Sequence, residues 1–167
     1  GVGYVNYNAD FDWWNGSIEA EGWNAGIYAA YDPGTYYIKL AGSYTDLSGD
    51  STRQVSVGSF GGTVTGEPDA NIWALSAEAG YRIQLGQATL TPYAGLEWVT
   101  AKLEAFTESG VPGANLAVEE SEEDFGTSEL GLKLGAALGS VFPEAKVGWR
   151  HVLFDDGDLN ARYFASF

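Results

Sequence analysis

The chain has no cysteine, one histidine, five prolines and only eight basic residues against 23 acidic ones. Without cysteine, neither a disulfide framework nor a thiolate metal site can form. Eight lysines and arginines in a chain of formal charge −15 exclude nucleic acid as a partner, because phosphate binding needs clustered cations. No stretch approaches the ~18 consecutive apolar residues of a membrane helix, and no basic-then-apolar leader opens the chain. The lone imidazole, His151, sits beside Arg150 at a strand end with no G-x-S-x-G elbow elsewhere, so no nucleophile–base pair and no enzymatic activity are expected. "GVG" at the start is not followed by a helix and is no nucleotide fingerprint.

What is present is strand-forming. A 167-residue chain that is 45% hydrophobic and 14% aromatic is long and apolar enough for one ordered domain, taken as residues 1–167. Abundant glycine with Tyr and Trp dominating the aromatics points to strands and turns, an all-β fold.

The strands announce themselves as alternation with a period of two. "VNYNADFDW" sets Val5, Tyr7, Ala9, Phe11 and Trp13 against Asn6, Asn8, Asp10 and Asp12. A second strand gives Trp23, Ala25, Ile27, Ala29 and Tyr31, and a third Tyr36, Ile38, Leu40, Gly42 and Tyr44; Glu19, Glu21, Asn24, Tyr28, Lys39 and Ser43 are assigned to the opposite faces. A fourth sets Trp73 to Ile83 against Ser76, Glu78, Gly80 and Arg82; a fifth sets Leu90 to Trp98 against Tyr93 and Glu97. The sixth opposes Leu130, Leu132, Leu134, Ala136 and Leu138 to Glu129 and Lys133. The seventh opposes Ala145, Val147 and Trp149 to Lys146 and Arg150, and an eighth is expected over 159–167. In every strand the apolar phase carries no charge.

Aromatics bracket that apolar phase at a repeated interval: Trp23 to Tyr31, Tyr36 to Tyr44, Trp73 to Tyr81 and Leu90 to Trp98 are each eight residues apart. Eight residues of strand at ~3.4 Å rise, tilted ~40°, span roughly 20 Å, near the ~25 Å apolar band between the aromatic girdles of outer-membrane barrels. Short turns at 32–35, 85–88 and 139–143 alternate with long polar connections over 48–71 and 107–127, which share one rim with "WNGS" and "DDGD". Short turns at one end and long loops at the other match periplasmic turns and extracellular loops. The expected fold is therefore an antiparallel up-and-down transmembrane β-barrel of outer-membrane type with about eight strands. Trp23, Tyr31, Tyr36, Tyr44, Trp73, Tyr81, Trp98 and Trp149 form its lipid-facing girdles. Lys39, Glu78, Arg82, Glu97, Glu129, Lys133, Lys146 and Arg150 fall on the inward phase as pore-lining residues, either salt-bridged into a plug or exposed to a passing peptide. The remaining acids, among them Asp50, Glu67, Asp69, Glu104, Glu108, Glu119, Glu120, Glu122, Glu123 and Asp124, are expected on a solvated rim. Neither "DDGD" nor "EESEED" completes a calcium-loop pattern, so no metal or other cofactor is assigned.

"AGYRIQLGQATLTPYAGLEWVTAKLEAFTESG" (79–110), "SELGLKLGAAL" (128–138) and "PEAKVGWRHVLFDDGDLNARYFASF" (143–167) resemble the C-terminal β-barrel, or translocator, domain of classical autotransporters of Gram-negative bacteria. The resemblance implies an outer-membrane location, a passenger carried on the same polypeptide and passed or anchored through the barrel, and insertion by the barrel-insertion machinery. The family pattern has twelve strands and a helix threading the pore; this chain reads as eight strands without that helix, a portion of such a barrel. The alternatives are a self-contained eight-stranded outer-membrane barrel with a structural or loop-mediated binding role, and a soluble ligand-binding barrel.

Overall fold

The computed structural model describes residues 1–11, 15–58, 60–137, 141, 143–156 and 161–163, and all regular structure among them is strand. The elements are β1 (Val2–Phe11), β2 (Gly16–Tyr31), β3 (Tyr36–Val57), β4 (Phe60–Gly66), β5 (Asp69–Tyr81), β6 (Ile83–Leu85), β7 (Ala88–Leu103), β8 (Phe106–Thr107), β9 (Leu116–Val118), β10 (Ser121–Ala136), β11 (Glu144–Asp156) and β12 (Ala161–Tyr163). The main sheet runs β1-β2-β3-β5-β7-β10-β11, with β4 attached to β3 and β6 to β7; β12, β9 and β8 form a second, small sheet. Each strand of the main path is antiparallel to the next, the up-and-down order expected. Among the described residues β1 and β11 are the two edges of this sheet.

Local chemistry places the reversals. At 32–35 the Asp32 carboxylate accepts the Gly34 N–H at 3.0 Å, an Asx turn, and Gly34 takes a φ of 100° that a side chain would oppose. Gly86, with φ 68°, turns β6 into β7. The third short turn, over 139–143, falls mostly outside the described residues.

Residues facing each other across an antiparallel pair share a face, so the registers sort every side chain. One face collects Ile27, Gly42, Leu75 and Trp98 along one row, and Ala29, Leu40, Ala77, Leu96 and Ser128 along the next. It is open: Ile27 is 82% and Leu40 51% exposed, and Leu75 and Leu132 are exposed as well. The other face is enclosed. Tyr37 and Tyr93, on the charged phase, are only 4% and 5% exposed, and Thr91 and Thr127 on the same phase are buried as well. Apolar side chains outward and polar ones enclosed is the reverse of a soluble barrel.

The girdle residues are staggered. Trp23 lies on a row with Asp46, Asn71 and Lys102; Tyr44 and Trp73 pair two residues nearer the turn end, Trp98 two nearer again, and Trp149, opposite Leu130, four beyond that. The lower margin shifts in parallel, from Tyr31 to the Tyr36–Tyr81 pair and on to Leu90, opposite Leu134. Strands tilted ~40° displace a hydrogen-bonded row by roughly 3 Å along the barrel axis at every strand. A stagger of one to two residues per strand is what keeps an aromatic belt level.

Three expectations change. The first strand has the opposite phase: Val5, Tyr7 and Ala9 face Gly22, Ala20 and Ile18, and so lie on the enclosed side, while Asn6 and Asn8 face Glu21 and Glu19 on the side of Trp23. Only Val2 and Tyr4 of β1 reach the apolar band; beyond Tyr4, which packs edge-on against Trp23 at 5.5 Å, the outward face has already left it and is polar. For the same reason Glu19 and Glu21 share the Trp23 side and do not oppose it. Trp13 lies outside the described residues.

Second, 48–71 is not a polar loop. β3 runs on to Val57 and returns as β4, with Ser51 to Val57 paired to Gly66 to Phe60. The connection after β7 likewise contains β8 and β9, and β10 begins at Ser121. Third, of the expected eighth strand only Ala161–Tyr163 is described, and it pairs with β9 instead of extending the main sheet; Leu159, Ala165 and Phe167 lie outside the described residues, as does Leu138.

The buried hydrophobic cluster of Val64 (0% exposed), Val111 and Ala114, with Val55 against it, sits at the loop end and not within the band.

Candidate functional site

The enclosed face is built on two tyrosines laid flat over glycines. Tyr37 on β3 faces Gly80 on β5, and a Cβ at Gly80 would stand 2.5–2.7 Å from the Tyr37 Cε1, Cζ and OH. Tyr93 on β7 covers Gly131 on β10 and Gly148 on β11 in the same way. Strand glycines are entropically unfavourable; these exist because a ring occupies the place of their side chains.

The tyrosines organise the charges. Lys133 Nζ donates to Tyr37 OH and to Glu78 Oε1, both at 2.8 Å, and lies 5.1 Å and 4.6 Å from the ring centroids of Tyr37 and Tyr93. Lys39 Nζ reaches the same Glu78 oxygen at 3.5 Å. A second cluster centres on Glu129, which accepts from Tyr93 OH, from Lys146 Nζ at 2.9 Å and from Arg150 Nη2 at 3.3 Å. Two carboxylates thus hold four cations, so each cluster retains positive charge although the chain as a whole is acidic. Glu97 stands apart: its hydrogen-bond partner among the described residues is Thr127 Oγ1, at 3.4 Å.

Of the eight charged residues expected on this face, seven share it along the rows Lys39–Glu78–Gly95–Glu129–Arg150, Ser76–Glu97–Thr127 and Thr91–Lys133–Lys146. Arg82, the eighth, sits lower on the same side, in the gap between β5 and β6, with its guanidinium 5.2 Å from the centroid of the Tyr37 ring. Its Nη1 and Nη2 grip Asp32 Oδ1 and Oδ2 at 2.6 Å and 2.7 Å, and Nη1 also donates to the Gly34 carbonyl at 3.1 Å. Arg82 is thus a fastener of the short-turn rim, tying the β2–β3 turn to the end of β5. The eight aromatics expected at the girdles all lie on the apolar face; Tyr44 packs on Trp73 at 4.6 Å, Trp98 meets Phe154 edge-on, and Trp149 stacks on His151 at 5.2 Å.

The Arg82 hydrogen bond, with the Gly34 N–H second, holds the Asp32 carboxyl down at about 2. A depressed acid contributes stability that is complete above its unfolded value of ~4 and is lost as pH falls towards 2. NMR titration of the Asp side chains should therefore find a midpoint near 2 that Arg82→Ala returns to the ordinary range; a midpoint near 4 in the unaltered protein would contradict the clamp.

Sequence reading missed what the rim acids do. Glu108 is not solvated: it is buried and bonded to Arg53 Nε at 3.2 Å, to Arg53 Nη2 and to the Leu116 N–H at 2.8 Å. Glu120 pairs with Lys102 at 2.9 Å. Among the described residues no group of three acidic or histidine side chains is arranged to hold a metal ion.

The arrangement divides apolar from ionic side chains across one sheet, as a wall between lipid and an aqueous interior does. Comparison with curated proteins finds no match. The model of the autotransporter β-domain family, by contrast, matches residues 1–167, the whole chain. With its inside-out antiparallel sheet, the chain belongs to the autotransporter β-domain family, whose members are outer-membrane translocators of type V secretion in Gram-negative bacteria and carry a passenger segment on the same polypeptide.

Proposed function

We propose that the face bearing Lys39, Glu78, Glu97, Glu129, Lys133, Lys146 and Arg150 lines the lumen along which the passenger segment moves or rests, and that Trp23, Tyr31, Tyr36, Tyr44, Trp73, Tyr81, Trp98 and Trp149 contact outer-membrane lipid at its two interfaces. The observation that carries this reading is the row Ala30–Lys39–Glu78–Gly95–Glu129–Arg150, which crosses six strands and lies one residue from the row Tyr31–Ile38–Ala79–Ala94–Leu130–Trp149. One is ionic and the other is uncharged. An ion in hydrocarbon is costly while an ion in a hydrated lumen is not, so the two rows belong to two solvents. Closure of the two sheet edges, needed because hydrocarbon tolerates no open backbone edge, supports a role for the barrel-insertion machinery as partner.

The lumen reading is tested by conductance. Arg150 is largely exposed within the enclosed face, so Arg150→Glu should leave the fold intact while shifting the ion selectivity of the reconstituted pore towards cations. Unchanged reversal potential across a salt gradient in this variant, with normal folding, would count against a lumen position.

A further inference from the structure

We propose that the connection between β7 and β10 is a lid over the external mouth of the barrel, latched to the lumen side of the β3–β4 hairpin by the Arg53–Glu108 ion pair. The inference rests on the lumen reading above and adds a moving part to it.

The placement follows from strand phase. β3 keeps one register from Tyr36 to Val57, pairing in turn with β5, β2 and β4 without a shift. Ser51, Arg53 and Val55 therefore continue the phase of Tyr37 and Lys39, and their partners Gly66, Val64 and Gly62 share that side. This is the side that Phe106, Glu108, Val111 and Ala114 reach. A Cβ at Gly66 would meet the Phe106 ring at 2.9 Å, and one at Gly62 would meet Val111 Cγ2 at 2.8 Å, so both glycines are seats for lid side chains. Val111 and Ala114 close over Val64. Arg53 Nη2 donates both to Glu108 and, at 3.0 Å, to the Ala114 carbonyl. Thr65 and Ser109 exchange backbone hydrogen bonds of 2.8 Å in each direction.

The segment leaves β7 at Leu103, passes β5, leans on β3 and β4, and returns at Ser121 to pair with Leu103. Its backbone runs along the edges of β5 and β4, through the Glu104–Asp69 hydrogen bond and the Thr65–Ser109 bridge, while Phe106, Glu108, Val111 and Ala114 reach over the lumen side of the hairpin and both of its anchors belong to the main sheet. Its seat on the β3–β4 hairpin is small: one valine-lined cluster, one ion pair, the Arg53–Ala114 hydrogen bond and one two-bond bridge; β12, paired to β9, would move with it. It can lift without breaking any row of the main sheet, which a polypeptide leaving through the mouth requires.

A disulfide tests it, because the chain has no cysteine of its own. Thr65 and Ser109 form a hydrogen-bonded antiparallel pair, for which the Cα separation is ~5.5 Å, inside the range a disulfide accepts. The full-length protein carrying Thr65→Cys and Ser109→Cys is reconstituted in planar bilayers, with cross-linking followed by gel mobility. Conductance is expected to fall several-fold when the pair is oxidised, to recover with reductant, and to be redox-insensitive without the substitutions. Arg53→Ala is expected to raise conductance in the absence of any cross-link. Full conductance in both redox states of a cross-linked sample would overturn the lid and leave the lumen reading standing; no conductance in either state would overturn the lumen reading and the lid with it. Unchanged conductance in Arg53→Ala would overturn the latch.

Discussion

Leu40→Arg is expected to weaken insertion and folding in bilayers by about 2–4 kcal/mol, the cost of a cation on the lipid face at mid-depth of an outer-membrane barrel. Leu40 is four residues from both Tyr36 and Tyr44, the two aromatics that bracket β3, and half of its surface is open. The contrast with its neighbour is what gives the result meaning. Lys39 is already charged, one position away, and is expected to cost nothing comparable because it lies on the opposite face of the sheet and meets Glu78. In a protein surrounded by water, an arginine at an open surface position changes stability by less than ~0.5 kcal/mol. Equilibrium refolding from urea into lipid vesicles, with Leu40→Arg and Lys39→Arg side by side, therefore discriminates: a large loss for the first and a small change for the second is expected. Equal, small effects would mean that the apolar face meets water.

Gly80→Val is expected to cost about 1–3 kcal/mol, the usual range for forcing volume into a packed site. Tyr37 occupies the space above Gly80 and cannot withdraw freely, because its hydroxyl accepts from Lys133 and its ring lies between the cations of Lys39, Arg82 and Lys133. A side chain at Gly80 must displace the ring, and with it the hydrogen bond that helps fix Lys133 on Glu78. Gly3 supplies the control, since nothing lies within 4 Å of a Cβ placed there. Urea unfolding in vesicles should show a lowered midpoint for Gly80→Val and little change for Gly3→Ala. The double variant Tyr37→Ala, Gly80→Val should lose less than the sum of the single changes, because the clash is removed. Additive losses would show that the ring and the glycine are not coupled.

The strands between Trp23 and Trp149 are legible in the sequence because each crosses a band whose two sides have opposite chemistry, so alternation and charge point to the same assignment. The opening strand is different. Alternation in Val5 to Phe11 reveals two faces but not which is which, and the phase is decided by pairing: Asn6 opposite Glu21 puts the polar residues on the outward side, past the band where Tyr4 and Trp23 end it. The β3–β4 hairpin is hidden by composition, since "SGDSTRQVSVGSFGGTVTGEP" is rich in residues that also make loops; Val55, Val57 and Val64 with Gly58 between them are the strand signal it contains. The covering of Gly80 by Tyr37, and of Gly131 and Gly148 by Tyr93, depends on which residues two strands in the first case and three in the second bring side by side. No local pattern records that, and the burial of Glu108 by Arg53, 55 positions away, is beyond local reading for the same reason.

Cysteine scanning along β5 tests the central division most directly. In a chain without native cysteine, single cysteines from Ala74 to Ala79 in the vesicle-embedded protein are exposed to a small, water-soluble, lipid-insoluble thiol reagent. Modification is expected at positions 74, 76 and 78 and protection at 75, 77 and 79. Uniform modification of all six, or protection of the even positions with modification of the odd ones, would contradict the account.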